Sequence, residues 1–150
     1  MNKAVRALKI TGIVIISLPF ALVALYIVWE IFCAVVNNIS GQLHTDSVIN
    51  GYSNCASIEV LDNVTFVGNT SGTGNHTEVR STVLVQADSI TELEYWTNYE
   101  SYYITPLFEE VSEEKYSRWS RELEQPYERD NCYVVEVYGS VPFPDSIMGH

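Results

Sequence analysis

The sequence predicts an α+β fold: an N-terminal transmembrane helix, then a small antiparallel-rich sheet of about three strands with helices packed on one face. Three observations carry that expectation. Ile10 to Trp29 runs without a charged residue, two stretches after residue 56 alternate apolar and polar residues around a loop, and apolar residues over 89–124 recur at helical spacing. At 150 residues the chain has room for one modest domain beyond such a helix.

The apolar run "ITGIVIISLPFALVALYIVW" is about twenty residues long, the length that crosses a bilayer. Glu30 interrupts it and "IFCAVV" continues it to Val36, so the span is drawn over residues 10–36. Lys3, Arg6 and Lys9 all precede it. Basic flanks stay on the cytoplasmic side, which makes 1–9 a basic cytoplasmic N-terminus and puts the rest of the chain outside, beyond a cell membrane crossed once. A cleaved signal peptide would have a shorter apolar core and a small-x-small cut site; the run here continues past the best such site, after Ala24, so the segment reads as a signal anchor. Pro19 is tolerable within a membrane helix. Glu30 sits at the outer end, where a carboxylate can reach headgroups and water.

"NNISGQ" over 37–42 reads as a polar hinge, and residues 43–141 as the extracytoplasmic domain. Leu43, Val48, Ile49 and Tyr52 suggest a short helix behind Thr45, Asp46 and Ser47. "ASIEVLDNVTFV" is rich in β-branched residues; Ile58, Val60, Val64 and Phe66 share one parity, and a bulge near Asp62-Asn63 would account for the acid among them. "TEVRSTVLVQA" alternates more cleanly, with Val79, Ser81, Val83, Val85 and Ala87 on one face. The two runs make an antiparallel hairpin. Ser89 and Glu92 form a capping box ahead of Ile90, Leu93 and Trp96. Thr105-Pro106 reads as the start of a further helix over about 106–124, with Leu107, Val111, Trp119 and Leu123 along one face. "NCYVVEVYGSV" is the third strand, with Tyr133, Val135 and Val137 on one face, and 142–150 a tail without periodicity.

Charge narrows the partners. Outside the span and its basic flank, five Lys and Arg face eighteen Asp and Glu. Such a surface disfavours nucleic acid and anionic headgroups and suits water, cations or a basic partner. The partners expected are the bilayer, through residues 10–36, and another membrane or envelope protein. Cys55 and Cys132 both lie in the exported part, and a pair in an oxidising compartment reads as a disulfide, worth roughly 4 kcal/mol in the chain-entropy model. No cysteine and histidine spacing matches a zinc site, and no cofactor is implied.

The loop "FVGNTSGTGNHTE" is the most distinctive stretch. Gly68, Asn69, Gly72, Gly74, Asn75 and His76 form a candidate ligand loop, because consecutive amides in Gly-rich segments can cradle an anion. A phosphate loop, however, requires a following helix and a lysine, and here a strand follows in acidic surroundings. The segment is first a hairpin connection, longer than the usual two to five residues. Asn38, Asn63, Asn69 and Asn75 each begin an N-x-[ST] sequon, a glycosylation acceptor in a host that uses such sites. His44, His76 and His150 join no serine or cysteine in a nucleophile motif, so no catalytic residue is assigned. Of the aromatic residues over 95–127, Trp96, Tyr99 and Trp119 are expected in the core and the others at its rim.

The anchor, the acidic aromatic domain and the missing catalytic constellation together imply a non-enzymatic interaction or binding module of the cell envelope. Two alternatives stand beside it: a ligand- or cation-binding, enzyme-like domain using loop 68–76 with His76 and Glu78, and an accessory subunit acting through Glu30 and Pro19 of its membrane helix.

Overall fold

In the computed structural model, residues 3–70, 76–108, 111–123, 131–144 and 147 are described. The chain is α+β: a long apolar helix, a four-stranded antiparallel sheet and two short helices. Helix α1 covers Lys3–Tyr52, and 50 residues at 1.5 Å each make it about 75 Å long. From Thr11 onward it is long and apolar enough to cross a membrane.

The hinge expected at 37–42 is helical. "NNISGQ" reads as a breaker by composition, yet two of its residues are buried where the helix meets the sheet. Cys33, Asn37, Gly41, Thr45, Val48 and Tyr52 recur at one-turn intervals and are all buried. Gly41 is required by close approach, since a Cβ there would lie 2.5 Å from Val67 Cγ2. Of the four apolar residues whose spacing suggests a helix here, Val48 and Tyr52 are buried, whereas Leu43 points to solvent with 64% of its surface exposed.

The strands are β1 (Ile58–Gly68), β2 (Glu78–Ala87), β3 (Tyr102–Pro106) and β4 (Cys132–Ser140), in the order β1-β2-β4-β3. Every neighbouring pair is antiparallel. The expected hairpin is β1–β2, and the expected bulge is present, with the register slipping between Val60 and Asp62. Its effect goes beyond excusing one acid. An extra residue flips the parity of all that follows, so the proposed stripe of Ile58, Val60, Val64 and Phe66 is split. Ile58 and Val60 pack on the α1 face, whereas Val64 packs on the other and Phe66 lies under the Arg80 guanidinium, 5.0 Å from its ring centre. Both edges are guarded: β1 by the bulge with Glu59 and Asp62, β3 by its brevity and Pro106.

The fourth strand, β3, was not expected. Thr105-Pro106 ends it, pairing with Val134 and Tyr133, rather than starting a helix. Helix α3 begins later and spans Glu113–Glu122. Leu107, Val111, Trp119 and Leu123 nevertheless gather in one cluster with Leu84, Cys132 and Val134.

That cluster corrects the expectation of helices on one face. The C-terminal part of α1 and helix α2 (Ile90–Trp96) cover one face, where Val48, Tyr52 and Leu93 meet Val83, Val85, Val135 and Val137. The Trp119 cluster covers the opposite face. Both faces of β2 and β4 are therefore buried, which is why Arg80, Thr82 and Glu136 lie inside although they occupy the polar parity.

The disulfide is corrected for the same reason. Cys55 packs against the α1-side core and Cys132 belongs to the Trp119 cluster, so the sheet separates them and no disulfide joins them. Cys55 Sγ instead donates to Glu92 Oε1 at 3.3 Å, and Ser57 Oγ donates to the same oxygen. Glu92 thus leaves the capping box half made: its N–H donates to Ser89 Oγ at 3.3 Å, while its carboxylate serves the chain before β1. At the start of β4, Asn131 adopts a left-handed conformation (φ 61°), which asparagine tolerates better than most residues.

The tail is packed too. Val141 is buried, and Phe143 meets Trp29 and Phe32 with ring centres 5.6 and 5.9 Å apart. Asn37, fully buried, accepts the Phe143 N–H at Oδ1 (3.1 Å) and donates Nδ2 to its carbonyl (3.0 Å).

Candidate functional site

The end of the sheet nearest the apolar part of α1 gathers the last residues of β1 and β4 with the first of β2 and β3. The antiparallel register dictates this: Gly68 pairs with Glu78, Glu78 with Ser140, and Tyr102 with Val137. The tail crosses the same end, where the Thr77 N–H donates to the Pro144 carbonyl. Between these parts lies an open groove of about 630 Å³. That size suits a small ligand.

Its walls come from four directions. Thr70, His76, Thr77 and Glu78 flank the hairpin loop, Ser101 and Tyr103 lead into β3, Tyr138, Gly139 and Ser140 end β4, and Pro144 belongs to the tail. Tyr103 and Tyr138 meet edge to face, with ring centres 5.9 Å apart. Thr70 Oγ1 donates to the Glu78 carboxylate. Burial, then the Glu136 charge, pushes the Tyr138 hydroxyl above its ordinary range, so the phenol stays protonated and can donate a hydrogen bond. The groove offers one carboxylate, one imidazole, two phenols and several hydroxyls, a set that can hold a small polar ligand. No group of three or more metal-ligating side chains occurs among the described residues.

Of the loop residues singled out in the sequence, His76 lines the groove, while Gly68 ends β1 and Asn69 follows it. Gly72, Gly74 and Asn75 lie outside the described residues. Tyr103, Tyr138 and Ser101 were not connected with the loop; only the register, which sets Tyr103 opposite Glu136 and Arg80 opposite Tyr138, brings them there. Among the sequons, Asn38 is on an exposed face of α1 and donates to the Ala34 carbonyl at 2.9 Å, Asn63 is exposed beside the bulge, and Asn69 is half-buried. Asn75, again, is not among the described residues.

A second polar feature lies between α1 and the sheet. His44 Nδ1 and Ser81 Oγ are 2.7 Å apart, Ser81 and Thr45 hydroxyls 2.7 Å, and Thr45 and Thr65 hydroxyls 2.6 Å. These groups satisfy one another inside an otherwise apolar interface, as buried polar atoms must. Burial holds His44 below the usual imidazole range. Its ring lies 5.5 Å from that of Tyr99, and Gly139 leaves room for it, since a Cβ there would come 2.6 Å from Nε2. Nearby, Tyr52 donates or accepts with Thr97 at 2.7 Å, and burial pushes its hydroxyl up to about 12. No local pattern of residues signals this chain of hydroxyls, which register α1 against β1 and β2.

No family model, curated protein or solved structure matches the chain.

Proposed function

We propose that this protein is a single-pass membrane protein, N-terminus in the cytoplasm, whose extracytoplasmic domain is a non-enzymatic interaction module of the cell envelope. One observation carries the reading. On the α1 face turned away from the sheet, Ile31, Val35, Ile39 and Leu43 recur at one-turn spacing and are 52–64% exposed. A hydrocarbon core takes up about twenty residues of helix, so of the apolar run over 10–36 only the part to Trp29 fits within it when the span starts at Ile10. That leaves Ile39 and Leu43 roughly 15–20 Å beyond at 1.5 Å per residue. An apolar stripe that outruns the bilayer suits the helix of a neighbouring membrane protein. Because α1 is continuous through 37–42, the domain is held at a fixed angle to that stripe.

The test is photo-crosslinking of the full-length chain in its own membrane, with the reactive group at position 39 or 43. A discrete adduct with a membrane protein is expected, and Ile39→Glu/Leu43→Glu is expected to weaken association about tenfold or more, since burying each such side chain contributes about 1.5–3 kcal/mol. Folding stability should move by less than about 0.5 kcal/mol, as for other exposed positions. A chain that yields no adduct from either position sinks the reading.

The groove favours a second reading, a binding site for a small polar ligand using His76 and Glu78. A thermal-shift screen of small amines, sugars and carboxylic acids on the full chain tests it. Stabilising ligands are expected to lose their shift in His76→Ala and Glu78→Gln while the unliganded melting temperature is kept. Hits unaffected by either substitution would remove the groove from consideration.

A further inference from the structure

The tail is joined to α1 at one particular height, the end of its apolar run. We propose that residues Val141 to Pro144, with Ile147, are seated in the outer interface of the membrane, where Trp29, Phe32 and Phe143 form an aromatic anchor at the boundary of headgroups and hydrocarbon. This rests on the reading of α1 as a membrane span.

Helix geometry sets the height. Lys9 and Trp29 are twenty residues apart, about 30 Å along the axis and the thickness of a hydrocarbon core. With Lys9 at one surface, Trp29 falls at the other. Trp29 and Phe32 keep 53% and 50% of their surface exposed even with Phe143 packed against them. Tryptophan is favoured at this level because its ring is apolar and its N–H can reach a polar partner.

The segment is also built for a poorly hydrated site, where backbone groups must find partners within the protein. Asn37 takes both the N–H and the carbonyl of Phe143, the Thr77 N–H takes the Pro144 carbonyl, and Pro142 and Pro144 have no N–H to satisfy. The Ile147 N–H donates to Glu30 Oε2 at 3.0 Å, giving the one carboxylate at the end of the span a fixed donor. Ile147 itself is 56% exposed and apolar, unlike the acidic surface of the rest of the domain. It is tied at Glu30 to the exposed apolar surface of α1, which runs from Ile13 to Val35 with Glu30 as its one charged residue, and that surface makes the bilayer the matching partner.

Brominated phospholipids, which quench only tryptophan that touches them, test this in liposomes holding the purified full-length chain. Wild type has three tryptophans, Trp29, Trp96 and Trp119. A quenched component is expected in wild type, its loss in Trp29→Phe, and its return in Trp29→Phe/Phe143→Trp, which exchanges the two rings within the same cluster. If it fails to return, the tail is not in the interface and the proposal falls while the span stands. Quenching that persists in Trp29→Phe would put Trp96 or Trp119 against lipid and overturn the proposed height. A wild type with no quenched component overturns both this proposal and the membrane reading beneath it.

Discussion

Replacing Glu136 with leucine is expected to destabilise the domain by about 3–5 kcal/mol, the usual cost of stripping one partner from a buried ion cluster. Glu136 sits on a central strand with 3% of its side chain exposed, accepting from Arg118 Nη2 at 2.5 Å and lying 3.7 Å from Arg80 Nε. Arg80 is 8% exposed and, among the described residues, keeps Glu122 at 2.7 Å as its ion-pair partner once Glu136 is gone. Desolvation makes the loss severe: Arg118 can swing out to water, since 30% of its side chain is already exposed, but Arg80 is held between the sheet and α3. Against a total stability of about 5–15 kcal/mol, such a loss leaves a visible unfolded fraction. The measurement is the urea midpoint of the full chain in micelles. Arg80→Met/Glu136→Leu is expected to recover most of the loss, because removing both charges ends the desolvation problem. A Glu136→Leu variant within about 1 kcal/mol of wild type would mean that the cluster is hydrated and stabilises nothing, as exposed ion pairs commonly do.

This cluster also shows what the sequence could and could not convey. The alternation in β2 was legible, and so were the bulge beside Asp62, the Ser89 cap and the inward faces of Tyr133, Val135 and Val137. Each is encoded within a dozen residues. The second buried face was not legible, because Arg80, Thr82 and Glu136 look like a solvated parity until α3 is known to cover them. Strand β3 was missed since five residues ending in Thr-Pro carry a stronger helix-start signal than strand signal. Gly41 and Asn37 looked like hinge residues for local reasons, although what they meet, Val67 and Phe143, is distant in sequence. The same holds for the groove. His76 and Glu78 stood out beside a glycine-rich loop, whereas Tyr103 and Tyr138 reach it only through strand pairing. The cysteines give the plainest case, since nothing in a sequence says that two residues occupy opposite sides of a sheet.

Asn37→Leu is the second substitution expected to have a large effect, about 2–4 kcal/mol, and it acts on the junction between helix and tail. Leucine has the same branched set of side-chain heavy atoms as asparagine and is the larger of the two, so the change removes hydrogen bonds rather than opening a cavity. Both polar ends of the Asn37 side chain are used, one on the Phe143 N–H and one on its carbonyl, and the residue is wholly buried. Leaving two backbone groups unsatisfied costs about 1–3 kcal/mol for each that stays buried. The tail therefore has two responses, to remain in place with that penalty or to lift away and surrender the Phe143 ring contacts with Trp29 and Phe32. Hydrogen exchange separates them. Lifting exposes the Phe143 amide, whose protection is expected to fall to that of an open segment while the amides of β2 and β4 remain slow. If the Phe143 amide stays as protected as in wild type and the urea midpoint is unchanged, Asn37 is not what holds the tail to the helix. The outcome bears on the proposed function because this junction ties the tail to α1 just before the exposed stripe of Ile39 and Leu43.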